Sequence, residues 1–410
     1  MSSIFKKQYK EYRFIVTFII LEIMLNIIAK YIDAKGFALT PYFRIILILF
    51  TVAFFSLDIL KLKFKLKFKK ICSWRELFVY GWFFFALISI LIGVLYKNPI
   101  VYIFTDFIYI FLGALLFYIF RNKHNDELDF VNLSKTIFII GLACVIFNLK
   151  APAILLVIMA ALMFLNILNK RYVLFFLFFI PYSILVFSSN RTQLVVFFLM
   201  GFLLLLKIFR PFFSKKSVIF FGLSIILFTY LFRQEIILGM LNFINPKSNI
   251  GYRINQIAII LEEGIDYSDP FFTSISQRMI EAQVVFEMWT SSIASFIFGT
   301  GSGGVIDGGK LFLDNSVLGS SLLGKSKIHN IHILPFSMIF RYGLVGLILF
   351  LVLLKIVYKT ILGILNESKS EQEIFWSLLL IFWFFFSIPA ASFLWSMPVF
   401  WISLTFINKT

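Results

Sequence analysis

Glu76-Leu-Phe-Val-Tyr-Gly-Trp-Phe-Phe-Phe-Ala-Leu-Ile-Ser-Ile-Leu-Ile-Gly-Val-Leu95 is a run of twenty residues with one charge, at its first position. As a helix rising about 1.5 Å per residue it spans about 30 Å, the thickness of bilayer hydrocarbon. A basic run, Lys61-Leu-Lys-Phe-Lys-Leu-Lys-Phe-Lys-Lys70, precedes it, and Lys97-Asn-Pro99 closes it. A second apolar block, 99–120, follows at once and ends at Arg121. Apolar block, short polar corner, apolar block, basic connector is the pattern of a polytopic helical membrane protein.

The rest of the chain repeats that pattern. Of 410 residues, 60% are hydrophobic and 14% charged, with 56 Phe and a mean hydropathy of +0.95. Soluble domains are about 45–50% apolar and about 25% charged, so a water-soluble fold is excluded. The Phe content predicts a lipid-facing surface rich in rings. Spans are expected near 14–30, 43–60, 76–95, 99–120, 135–149, 151–168, 172–188, 192–209, 217–233, 334–354, 374–391 and 393–408. The expected fold is therefore all-α, with about twelve transmembrane helices. Residues 1–233 hold nine of them and 334–410 three, while 234–333 form one large polar excursion. The first block carries Glu22 and is followed by no small-residue cleavage site, so it reads as a retained anchor helix.

The net charge of +17 points to membrane topology rather than to nucleic acid. Counted along the chain, 24 of the 38 Lys and Arg fall in segments 1–13, 61–75, 121–135, 169–171, 207–216, 353–373 and the C-terminus. These segments alternate with the apolar blocks, which by the positive-inside rule makes them cytoplasmic, next to anionic headgroups. Both termini are then cytoplasmic, and the excursion lies on the outer face. Cys72 and Cys144 are not placed for a disulfide, and no Cys/His cluster of metal-binding type occurs. Neither a cofactor nor a metal is expected. Internal repeats of the kind found in many secondary transporters are not evident.

Within the excursion, Thr273–Ser292 carries apolar residues at 279, 280, 284, 285, 288 and 289, a helical spacing. The turn Gly299-Thr-Gly-Ser-Gly-Gly304 matches G-x-G-x-x-G but lacks a βαβ context, so dinucleotide binding is rejected. Backbone amides of that turn near a ligand phosphate remain an open alternative. Ile328-His-Asn-Ile-His-Ile-Leu334 brings the chain back to the membrane.

Several residues could carry chemistry. Arg191, in Ser188-Ser-Asn-Arg-Thr192, is a cation on the outer side, either snorkelling at the interface or binding an anion beside Ser189, Asn190 and Thr192. Arg278 lies three residues from Glu281, an ordinary surface pair or an anion site. Arg253 has no decisive context. Arg341, inside an apolar block, should face a polar cavity or a partner. His329 and His332 are either a hydrogen-bonded structural pair or the source of a general base, since imidazole titrates near neutrality.

In their order along the chain these features resemble the bacterial O-antigen polymerases (Wzy type) and O-antigen ligases (WaaL type). The resemblance rests on Ser-Asn-Arg191-Thr, on Arg278 leading through Trp289 into Phe298-Gly-Thr-Gly-Ser-Gly303, and on Tyr342-Gly-Leu-Val-Gly346. It covers the C-terminal half and the span pattern. The family places a histidine, a polar residue, nine further positions, then two glycines three apart. His332 has that spacing to Gly343 and Gly346 but is followed by Ile333, whereas His329 is followed by Asn330 with a spacing three too long. Spacing favours His332, and the assignment stays open between the two.

The resemblance implies a GT-C-like transferase at the periplasmic face of a bacterial inner membrane, working without nucleotide or metal. Its donor would be a glycan on undecaprenyl pyrophosphate, its surroundings membrane lipid, and a chain-length regulator a possible partner. Arg191 and Arg278 would bind the diphosphate, assisted by Arg341 or Arg253. His332 or His329 would take a proton from the acceptor hydroxyl beside Asn330, and Trp289 would stack on sugar. Polymerase is preferred over ligase. A lipid-linked oligosaccharide flippase or another transporter is the reading from a different class, and gathering of the charged candidates at one face weighs against it.

Overall fold

The computed structural model describes residues 10–33, 40–61, 73–121, 128–188, 191–209, 273–307, 327–366 and 369–406, with isolated positions between 231 and 259. The helices are α1 Lys10–Asp33, α2 Thr40–Lys61, α3 Trp74–Leu95, α4 Ile100–Arg121, α5 Phe130–Ile146, α6 Ala153–Leu168, α7 Tyr172–Ser188 and α8 Arg191–Phe209. After them come α9 Thr273–Thr290, α10 Ile293–Phe298, α11 Leu334–Asn366, α12 Glu371–Ser387, α13 Ser392–Ser396 and α14 Pro398–Phe406. One antiparallel ribbon, β1 Ile306–Asp307 with β2 Lys327–Ile328, pairs Ile306 with Ile328. The expected span at 217–233 lies outside the described residues.

The chain is a helical membrane protein. Among the described residues, Tyr12–Ala29, Trp74–Leu95, Ile100–Arg121 and Leu334–Leu365 are long and apolar enough to cross a bilayer. Leu91, Leu95, Ile100, Val101, Phe104, Ile180 and Phe198 stand largely exposed around the bundle, a surface suited to lipid rather than water. Many of the phenylalanines have the opposite fate. Phe14, Phe50, Phe54 and Phe55 pack on one another, and Phe55 meets Phe120 edge-to-face at 5.3 Å.

Two apolar helices, α6 and α14, are enclosed by the others. In α6 every residue from Ile154 to Asn166 is buried, enclosed by α5, α7, α8 and α12, as expected of a helix apolar all round. The last expected span, 393–408, is not one helix: α13 stops at Met397, whose backbone is extended, and α14 restarts at Pro398. Proline has no amide to continue the ladder. Two indoles satisfy carbonyls near the break, Trp401 Nε1 donating to Trp395 O at 2.9 Å and Trp383 Nε1 to Phe393 O at 3.0 Å. The nine residues of α14, about 13 Å long, are wholly buried against α4 and α12.

Basic segments that alternate in sequence meet at one end of the bundle. Arg121 pairs with Glu76 at 2.5 Å and donates to the Tyr80 hydroxyl, while Arg171 forks onto Glu371 at 2.9 and 3.3 Å. Arg75 caps the last carbonyls of α14 at Leu404 and Thr405, and Lys207 caps α11 at Ile364. Cations thus meet the negative ends of two helices. The opposite end holds the Tyr96–Pro99 corner, the Gly299–Gly304 turn, the β ribbon and the start of α11.

Gly113 on α4 has no space for a Cβ, which would fall inside the Trp401 ring. Gly113→Val should therefore force α14 off α4 and cost about 1–3 kcal/mol. A thermal-unfolding midpoint in detergent equal to wild type would refute that packing.

Candidate functional site

α9 places a carboxylate where an amphipathic helix normally places a core residue. Val285 is fully buried on its inner face, and Glu281, one turn earlier on that face, is 2% exposed, whereas Met279 and Phe286 are exposed. The apolar periodicity of this helix thus points differently from the sequence expectation at Met279. The physical reason is that Glu281 is hydrogen-bonded inside: it accepts from Gln277 Nε2 at 3.0 Å, from the His332 amide at 3.0 Å and from His332 Nδ1 at 2.9 Å.

A carboxylate bound to Nδ1 fixes the imidazole tautomer. Nδ1 carries the proton and Nε2 presents its lone pair. The His332 side chain is 39% exposed, and its Nε2 has no partner among the described residues. The backbone of His332 is held too, its carbonyl accepting from Ala391 N at 2.8 Å. An oriented base with one free nitrogen can take a proton from a bound hydroxyl.

His329 differs in every respect. Its Nδ1 lies 2.9 Å from Gly304 O and its Nε2 3.2 Å from Asp106 Oδ1, and its ring stacks on Tyr102 at 4.3 Å. Both nitrogens face acceptors. Asp106, on α4, also accepts from Arg341 Nε at 2.9 Å and from the Gly303 amide at 2.9 Å. Arg341 is 2% exposed. It donates further to Ser337 Oγ at 2.6 Å and to His329 O at 3.2 Å, and it lies over Trp395. Arg341 meets a partner, as a cation in an apolar block must, but four of its five N–H groups are held by protein. Most of the Arg341 N–H groups and both His329 nitrogens are thus turned to protein acceptors. The structure places both in the framework of the site.

The glycine turn belongs to that framework. Thr300 N donates to Phe340 O, Ser302 N to Ser89 O, Gly303 N to Asp106 and Gly304 N to Gly301 O. Asn98 Nδ2 donates to the carbonyls of Thr300 and Ser302, both at 2.9 Å. Four of the five amides from Thr300 to Gly304 are thus turned to protein acceptors, which weighs against a phosphate nest there. Gly301 and Gly303 have φ of 76° and 74°, and a Cβ on either would strike α3 or α4 backbone. Glycine is required here for close approach.

Of the other expected residues, Arg278 lies on α9 one turn before Glu281, half-buried. Burial draws its guanidinium below the ordinary value, and Glu281 partly restores it. Asn330 is exposed between the histidines. Trp289 is packed, one face stacked on Phe296 at 4.9 Å and its Nε1 donating to Phe296 O at 2.8 Å. Arg191 opens α8, but its side chain, and all of Arg253, lie outside the described residues. Among the described residues no three His, Cys, Asp or Glu side chains gather as a metal site. Sequence reasoning missed Glu281 and Asp106. The signals were a carboxylate at a core position of an amphipathic helix and a carboxylate inside an apolar block that also has to accommodate Arg341.

No family model matches the chain, nor does any curated protein or solved structure.

Asp106→Ala should leave the Arg341 cation buried without its counter-charge and cost about 3–5 kcal/mol, read as a lowered unfolding midpoint in detergent. Adding Arg341→Met should recover part of that loss, because the uncompensated charge is removed. An unchanged midpoint for Asp106→Ala would show that the pair does not hold the fold.

Proposed function

We propose that the protein is a lipid-linked glycan transferase of the O-antigen polymerase type. In this reading about twelve spans cross a bacterial inner membrane, the basic end is cytoplasmic, and the histidine end faces the periplasm. The observation that carries the reading is the His332 ring, its Nδ1 held by buried Glu281 and its Nε2 open, at the end of the bundle opposite the basic clusters.

The chemistry follows from that ring. An acceptor sugar hydroxyl donates to His332 Nε2 and loses its proton there as its oxygen attacks the anomeric carbon of the donor glycan. The anomeric carbon–oxygen bond breaks, and the electron pair leaves on undecaprenyl pyrophosphate, inverting the anomeric centre. Glu281 stabilises the imidazolium that forms. Arg278, one turn away, binds the diphosphate and stabilises the charge that builds on it. The same half-burial that draws its guanidinium down also strengthens its pull on an anion, and the group stays charged. Arg191 joins it as the second diphosphate ligand. In a polymerase the acceptor is another lipid-linked repeat unit, and in a ligase it is lipid A core.

The test is transfer by purified protein in nanodiscs, given native undecaprenyl-pyrophosphate repeat units without nucleotide. A ladder of lipid-linked oligomers supports polymerase, and product only when lipid A core is added would reassign the acceptor. Neither product from folded protein would shift the reading to transport. His332→Ala should lower turnover by about 10²–10⁴-fold and Arg278→Ala by about 10²–10³-fold, with insertion intact. His329→Ala should instead reduce the folded yield more than the turnover of what folds. Loss of turnover in His329→Ala alongside near-wild-type His332→Ala would reverse the assignment.

A further inference from the structure

The polar excursion expected between the ninth and tenth spans does not stay clear of the helix ends. The turn that follows α10 is fastened to α3 and α4 at matching depths, and to the first part of α11. Ser302 bonds to Ser89, six residues before the end of α3. Gly303 bonds to Asp106, six residues inside α4. Thr300 bonds to Phe340, in the first part of α11, ahead of the non-helical break at Gly343. Six residues of helix are about 9 Å. A Cβ on Gly343 would stand 2.6 Å from the Ile297 carbonyl carbon, so the last turn of α10 packs directly on the break in α11.

There α10 turns apolar side chains outward. Ile293 is 81% exposed, and Phe296, Ile297 and Phe298 are each more than a third exposed. The patch continues into the exposed apolar belt of α3 and α4, formed by Leu91, Val94, Leu95, Ile100, Val101 and Phe104. Water at this surface would hydrate a large apolar area next to a turn about 9 Å inside the ends of α3 and α4, and hydrocarbon would not.

Several backbone groups at the ends of α10 are closed by side chains or the turn, which matters in hydrocarbon, where an open amide or carbonyl costs several kcal/mol. Ser292 Oγ caps the Ser295 amide, and Gly299 N bonds to Ser295 O. The Phe296 carbonyl, near the end of a six-residue helix, is taken by Trp289 Nε1, while Thr290 and Ser291 hydroxyls bond to carbonyls of α9. Trp289 thereby bridges α9 and α10 at the level where indoles favour the membrane interface.

From this geometry we infer that α10 and the Gly299–Gly304 turn form a re-entrant segment, with Ile293, Phe296, Ile297 and Phe298 in contact with the acyl chains of the leaflet at the site end. His332 and Glu281 then sit at headgroup level, reached by a substrate held in the bilayer. The inference stands without the transferase assignment, since it concerns where α10 lies.

The test is site-directed spin labelling in phospholipid nanodiscs, with Cys72 and Cys144 replaced by serine and alanine. Ile293→Cys and Ile297→Cys are labelled singly, and Asn330→Cys serves as the aqueous control. Collision with oxygen, which concentrates in hydrocarbon, should exceed collision with a water-soluble nickel chelate at 293 and 297, and the order should reverse at 330. Nickel accessibility at 293 and 297 equal to that at 330 would overturn the proposal by placing α10 in water. Low accessibility to both reagents would overturn it by showing that protein, another part of this chain or a second copy, covers the patch. Should Ile297→Cys fail to fold, Ile293, with the more exposed side chain, decides alone.

Discussion

A carboxylate in an apolar helix must be paired, and the pairing of Asp106 organises the whole site end of this protein. It receives the Arg341 guanidinium from α11, the Gly303 amide from the turn and His329 from the segment before α11. Three stretches far apart in sequence thus converge on one side chain of α4. Desolvating these groups is costly, and the cost is offset only when every donor finds its acceptor, so the arrangement permits little displacement. The glycines on either side complete the constraint, because Gly301, Gly303 and Gly343 approach backbone more closely than any Cβ allows. What the network fixes, in the end, is where His332 stands.

Two histidines three residues apart have acquired different chemistry from different surroundings. His329 is enclosed between Tyr102, Gly304 and Asp106, with acceptors at both nitrogens. His332 has one nitrogen bound to Glu281 and the other open. A base needs a lone pair and a fixed direction, and only the second ring has both. Arg278 and Glu281 share a turn of α9, so one short amphipathic element carries both a candidate anion-binding cation and the carboxylate that orients the His332 ring.

The bundle also separates two kinds of apolar helix that look alike in composition. α6 and α14 are enclosed by other helices, while α3 and α4 turn Leu91, Leu95, Ile100 and Phe104 outward. Hydrophobicity cannot distinguish these fates, because lipid and protein interior exclude water equally well. Packing distinguishes them: Trp401 enters the space left by Gly113, and two indoles satisfy carbonyls that the Met397–Pro398 break would leave open.

The sequence by itself determined that this is a helical membrane protein, where most helices begin and end, and that Thr273–Thr290 is an amphipathic helix. Each of these depends on a local quantity, a run of apolar residues or a periodicity. It also located both histidines and the buried Arg341, because charge in an apolar block is visible as such. Only the tertiary structure decided that Arg341 belongs to Asp106, that His332 rather than His329 keeps a free nitrogen, and that the turn after α10 returns to the level of Ser89. Those outcomes rest on contacts between residues up to 235 positions apart. No local pattern encodes which acceptor a buried donor will meet once the helices have packed.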